Sequence, residues 1–429
     1  MKLNKNVFTL ITLTIVMLLA AACAPEAALD VMLPEDCLAD EYYDPDDQMC
    51  YLDEDVVVEA PNDAPVTEPD EAFVEEPESA LVQESGVEPA AETDGTADYG
   101  MTPEDCYPDE VYDPVEKLCY IEFDCDTDAE CEAMEEAYYS ELDSMSDSLI
   151  PENFSGGQEG NDGEPTEIIT YSVEGDRIFN PVTFPVSDDL LAFQQDTAKH
   201  QAMWSDFARM IPPDQRSFVV SYTIFTDGLD ETMAEVRPNP DDPNQWELLL
   251  DPADSANLQE FNYTLIHEFA HLLTLNAAQV PPSLEVLNNP DDGQVYDQAV
   301  AVCPQYFTGE GCSNQGAYIN LFYNRFWVDI IEELEQVELI EDDDGYYEGL
   351  ELFYEKYKDQ FVTDYAATNS GEDIAESFTH FVLKDKPIGN TIAEQKILFF
   401  YDFPELVQLR QVILAQTVSR LRHQQTTTQ

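Results

Sequence analysis

The chain has 429 residues, 91 of them Asp or Glu and only 17 Lys or Arg, for a net charge of −74. A surface this negative repels phosphate backbones and anionic lipid headgroups, which excludes nucleic acid as a partner. The excess is uneven: between Cys23 and Glu167 the one basic residue is Lys117, so a very acidic first third precedes a moderately acidic remainder. The length suffices for two or three domains and at least one sizeable core.

The first segment, "MKLNKNVFTLITLTIVMLLAAAC", reads as targeting and not as fold. Lys2 and Lys5 make a short basic start, and the apolar run from Val7 to Leu19 is short for a bilayer span of about 20 residues. Ala20-Ala21-Ala22-Cys23 resembles a bacterial lipobox, where the chain is cut before a cysteine that takes up a lipid. The expectation is a signal peptide over residues 1–22 and a lipid anchor on Cys23. The protein would then sit at the cell membrane, facing the extracellular side or the periplasm. Ordinary secretion with cleavage near Ala22, or a retained helix, are the alternatives. Nine cysteines less Cys23 leave an even number, which suits disulfides in an oxidising compartment.

"PEDCLADEYYDPDDQMCY" at 34–51 recurs as "PEDCYPDEVYDPVEKLCY" at 103–120, offset by 69 residues. Each copy sets a Tyr-Asp-Pro turn between two cysteines, the composition of a small loop stapled by one disulfide. The expected pairs are Cys37 with Cys50, Cys106 with Cys119, and Cys125 with Cys131, and Cys303 and Cys312 close a fourth loop. Residues 53–98, rich in Glu, Pro, Ala and Val and without helical period, are expected to be disordered. Residues 132–166, with "SGGQEGNDGEP" at 155–165, read as a second linker. Residues 23–165 are thus expected to form a mostly disordered acidic stalk with small disulfide loops.

A folded domain is expected over 166–429. Residues 187–211 carry apolar side chains at helical spacing and stop at Pro212-Pro213. "SFVVSYTIFTDG" (217–228) and "WELLLDPADS" (246–255) read as strands. Helices follow at 256–276, about 317–338, about 347–361, 371–384 and roughly 391–425, the last broken near Pro404. Strands followed by helices indicate an α+β domain of ordinary size. No heptads are present, so a monomer is expected.

The chemistry centres on "YTLIHEFAHLLTLN" (263–276). Asn257 and Glu260 suit a helix start. His267 and His271, four apart, then project from one face and can reach one metal ion. Glu268 lies one residue around, within reach of a water in the same site. Leu265, Ile266, Phe269, Leu272 and Leu273 surround this polar trio, and burying it is costly unless a metal satisfies it. Zinc is the expected ion, and it needs a third protein ligand. An added histidine is excluded at metzincin spacing, since Thr274 and Ala277 stand there. Carboxylates remain: Glu372 and Glu376, four apart in "GEDIAESFTHFVL", or Glu285. His380, one turn past Glu376, is either structural or a substrate contact.

The pair of motifs His267-Glu268-x-x-His271 and Glu372-x-x-x-Glu376 resembles the gluzincin clan of metallopeptidases, in particular the protease domain of anthrax-lethal-factor-like enzymes. The resemblance covers roughly 260–276 and 365–382. It implies a zincin-like domain in which Glu372 binds zinc and Glu376 orients a ligating histidine. It also implies that Tyr365, seven residues before Glu372, lies beside the ion and stabilises the oxyanion, with Glu268 as general base. "WELLLDPAD" would supply an edge strand for an extended protein or peptide substrate. One departure is that Glu372 comes 101 positions after His271, more than compact members use. The competing expectation is a surface binding or adhesion lipoprotein whose peptidase-like domain is inactive.

Overall fold

The computed structural model describes residues 41–44, 49–52 and 106–427, the last range with short gaps and a longer one at 155–164. The signal segment, Cys23, Cys37 with its pairing, and the 53–98 linker lie outside the described residues. The chain divides into two compact units, residues 1–90 and 91–429.

In the first unit, β1 (Glu41–Asp44) and β2 (Met49–Leu52) form an antiparallel hairpin with Tyr43 opposite Cys50. In the second, β3 (Val111–Asp113) and β4 (Leu118–Tyr120) repeat it with Tyr112 opposite Cys119, so the sequence repeat is a repeat of backbone register. Cys106–Cys119, Cys125–Cys131 and Cys303–Cys312 are joined as disulfides.

The stalk reading needs correction from residue 106 onward. The second hairpin belongs to the larger unit, where Glu110 pairs with Arg209 at 3.2 Å and the Cys119 carbonyl accepts from Gln416. Residues 132–146, expected as linker, belong to helix α1 (Asp128–Ser146). Ala, Glu, Met and Leu are good helix formers, and the glycine-rich stretch that breaks the chain begins only at 155. The helix packs on α12 (Pro404–Thr427), and Leu142 and Leu149 enter the core. Leu142→Ala is therefore expected to cost about 2–4 kcal/mol, seen as a lower urea midpoint. A freely suspended helix would leave that midpoint unmoved.

Five strands form the main sheet: β5 (Thr166–Glu174), β6 (Arg177–Thr183), β7 (Val219–Thr226), β8 (Ala234–Pro238) and β9 (Trp246–Leu250). Their order is β6-β5-β7-β9-β8, antiparallel except for the parallel pair β7–β9. "WELLL" is consequently not the edge strand expected. It pairs on both sides and all five residues are buried, as a continuous apolar run in an internal strand should be. The edge belongs to β8, whose mixed "AEVRP" carries little strand signal.

The segment 187–211 divides into α2 (Leu191–Gln195) and α3 (Thr197–Met210), because the Asp196 side chain accepts from Lys199 N–H and starts a new helix. α3 lies on the sheet through Trp204, fully buried with its ring 5.4 Å from that of Tyr222. After β9 come α4 (Leu258–Leu275), α5 (Leu284–Leu287), α6 (Gly293–Val302), α7 (Tyr318–Phe326), α8 (Ile331–Glu338), α9 (Asp343–Tyr357), α10 (Ser370–Leu383) and α11 (Ile392–Phe399). The single helix expected at 317–338 is broken at Trp327, which is fully buried and donates its Nε1–H to Asp373 at 2.7 Å. The whole is α+β with a small sheet. α4 and α10 pack together at its centre, and their rings at Phe269 and Phe378 meet edge-on at 6.0 Å.

Candidate metal centre

Two helices carry the site, and both are fixed at their N-termini. Asn257 accepts from the Gln259 and Glu260 N–H groups at the start of α4, and Asn369 accepts from those of Gly371 and Glu372 at the start of α10. Two buried ion pairs set the helices in place. Arg420 of α12 bonds Asp206 on α3 and Asn262 on α4, while Lys396 of α11 holds Asp373 on α10 at 2.5 Å. Both partners of the second pair are fully buried, so α10 has one stable rotation, with Glu372 facing α4.

His267 Nε2 lies 3.0 Å from Glu372 Oε2 and 3.0 Å from His271 Nε2, and His271 Nε2 lies 3.3 Å from Glu372 Oε2. The other ring nitrogen of His267 donates from Nδ1 to Glu376 Oε1 at 2.8 Å. With that proton committed, the contact between His267 Nε2 and the Glu372 carboxylate is favourable only when a cation or a proton sits between them. The donor set fits a metal. Ligand atoms around a tetrahedral ion with bonds of ~2.0–2.1 Å stand about 3.3 Å apart, close to the three separations observed. His267, His271 and Glu372 could hold a metal ion.

Charge in the site follows from burial and these contacts. Burial works against a charged Glu372, but His271 and His267 overcome it and hold the carboxyl far below its usual range. Burial also opposes ionised Glu376, which is nonetheless kept below its ordinary value by His267 and by the Thr363 hydroxyl, a donor at 2.6 Å. Tyr263 donates to the same carboxylate at 3.0 Å. Glu268 is different: burial pushes its carboxyl up to about 7, with His267 and His271 pulling in the other direction. The Tyr365 ring stands 6.0 Å from that of His267.

Of the sequence-derived candidates, His267, Glu268, His271, Tyr365, Glu372 and Glu376 are thus brought together, with Glu376 on the far nitrogen of His267 and not in the triad. Glu285 is exposed on α5 and does not belong to this group. Tyr263 and Thr363 were missed. Tyr263 sits one turn before His267 on the same helix face, a spacing that could have flagged it, whereas nothing marks Thr363.

Helices α5 to α9 fill the long interval between the two motifs. Within it the Cys303–Cys312 loop reaches the site. Tyr306 stacks on Tyr323 at 3.8 Å, and its hydroxyl lies 2.7 Å from Ser370 Oγ at the start of α10. Gly311 is required there, since a Cβ would stand 2.2 Å from the Pro281 carbonyl oxygen. A cleft of about 370 Å³ opens between this loop, the sheet edge and the helices, lined by Val236, Trp246, His271, Phe307, Glu310 and Glu372.

Among the described residues, two further groups come close enough to hold an ion. One is Asp227, Asp251 and Asp254; the other is Cys106, Glu110 and Cys119, whose sulfurs are already joined to each other. His200 is structural: Nδ1 meets the Tyr171 hydroxyl at 2.9 Å and Nε2 the Phe193 carbonyl at 2.8 Å.

His380 is buried, and neither ring nitrogen has a hydrogen-bond partner among the described residues. Burial, helped by Lys384, lowers its pKa from 6.5 to about 3. The unfolded chain therefore binds a proton at this residue that the folded chain refuses. Stability is present above pH 6.5 and is lost as pH falls toward 3. Urea midpoints at pH 7 and pH 4 are expected to differ less in His380→Gln than in the unaltered protein.

No family model, curated protein or solved structure matches the chain.

Proposed function

We propose that the chain is a zinc metallopeptidase with a zincin-like domain, hydrolysing peptide bonds in proteins or peptides outside the cell. The observation that carries this reading is the convergence of His267 Nε2, His271 Nε2 and Glu372 Oε2 within 3.0–3.3 Å, with Glu268 adjoining them. When bound, zinc supplies Lewis acidity toward a carbonyl and lowers the pKa of water to about 7.

The remaining work belongs to side chains. Glu268 takes a proton from the attacking water and delivers it to the leaving amine, a role suited to a carboxyl pushed up to about 7 by burial. Glu376, braced by Tyr263 and Thr363, fixes the ring orientation and tautomer of His267. Tyr365, beside His267, donates a hydrogen bond to the oxyanion of the tetrahedral species. An extended peptide adds along the open edge of β8, next to the cleft wall formed by Val236.

A chelator is expected to abolish cleavage of a mixed fluorogenic peptide library, and about one equivalent of zinc per chain to restore it. Cleavage that persists in the metal-free protein would remove the metallopeptidase reading. The lipid anchor on Cys23 is part of the same proposal. No helix among the described residues is long and apolar enough to cross a membrane, and Cys23→Ala is expected to release the protein from the membrane fraction.

A further inference from the structure

We propose that a second cavity, next to the metal centre, binds a small zwitterion with an apolar body: a free amino acid of the leucine or phenylalanine kind. The cavity has a volume of about 380 Å³, toward the lower end of the roughly 300–1,000 Å³ found for small-molecule sites. His380 lines it and is 4% exposed, with both ring nitrogens unpartnered among the described residues. A buried imidazole with an unmet donor and an unmet acceptor is costly, and a polar ligand removes that cost.

The class of ligand follows from the other walls. Lys384 and Asp364 both line the cavity, and among the described residues they form no ion pair with each other or with another side chain. One Asp364 oxygen accepts from the Tyr365 N–H at 3.0 Å, which leaves the second open. A cation and an anion facing one space complement a carboxylate and an ammonium carried on one small molecule. Ile150, Phe154 and Val362 provide an apolar wall for its side chain. The site also touches the metal centre. Thr363, in the cavity wall, donates to Glu376 Oε2, and Glu376 Oε1 accepts from His267. A bound amino acid is thus two hydrogen bonds away from a candidate metal ligand.

Calorimetric titration of the full chain tests this, with L-leucine, 4-methylpentanoate (which lacks the ammonium) and 3-methylbutylamine (which lacks the carboxylate). Leucine is expected to bind at one equivalent, with the acid and the amine each at least tenfold weaker. Lys384→Gln, at a half-buried position, and Asp364→Asn, at an exposed one, are each expected to weaken leucine at least tenfold. Leucine should also shift the His380 ring nitrogen resonances. Three results overturn the proposal: no binding of leucine or phenylalanine at millimolar concentration, an acid that binds as well as the amino acid, or affinity indifferent to Lys384→Gln. None of these readouts depends on peptide cleavage, so the site stands or falls apart from the peptidase reading.

Discussion

Glu372→Ala is expected to take the protein from about one bound zinc per chain to none at micromolar metal. The carboxylate is the only anionic member of the candidate triad, and its Oε2 lies within 3.3 Å of both ring nitrogens. Its loss leaves two imidazoles, too few donors for the four-coordinate geometry that zinc prefers. The fold should survive. Glu372 lies in the first turn of α10 and its side chain is only partly enclosed, so the structural cost is the loss of a favourable charge near a helix N-terminus, about 0.3–1 kcal/mol. Glu376→Gln gives a graded counterpart. The ligand set stays intact but His267 loses its charged acceptor, and zinc affinity should fall 10–100-fold. Thermal unfolding with and without zinc separates the cases. The unaltered protein gains stability from the metal, and the Glu372 variant gains none. Undiminished zinc in Glu372→Ala would mean that the ion sits elsewhere, and the mechanism built on this triad would go with it.

How far these residues were legible in sequence depended on whether they share a helix. His267, Glu268 and His271 are joined by one helical turn, and the apolar residues around them point to burial from sequence alone. Glu372 and Glu376 had the same advantage on α10, and the resemblance to gluzincins implied different roles for them; in the structure Glu372 meets Nε2 of His267 and Glu376 meets Nδ1. Thr363 had no such advantage. It meets Glu376 because the turn before α10 folds back, and no periodic pattern records that. The fold failed in two places for similar reasons. β8 pairs only with β9 and shows no alternation to read, so nothing in its sequence competes with the edge role that the resemblance implies for "WELLL". α1 is acidic and leads into the glycine-rich stretch at 155–165 on which the linker reading rests, yet Leu142 shows that one face is buried. Net charge describes the exposed face of such a helix and says little about the hidden one.

Glu268→Gln should separate chemistry from metal binding. The amide keeps the size of the side chain and cannot take a proton, so turnover on any cleaved peptide is expected to fall by about 10²–10⁴, while zinc content and affinity stay near those of the unaltered protein. The same substitution should leave stability unchanged or raise it. Burial disfavours the ionised carboxylate, with its pKa pushed up to about 7. At pH 8 the folded, metal-free protein therefore carries a charge that the unfolded chain would bear more easily. Removing that charge relieves the native state, the usual relation between an active-site group and the fold that holds it. The contrast is expected to shrink at pH 5, where the folded carboxyl is already protonated. A catalytic Glu268 thus has a two-part signature, lost turnover together with an unchanged or raised melting temperature at pH 8. Turnover within a few-fold of normal in Glu268→Gln would leave the histidines as a metal site without a base and return the domain to a binding role.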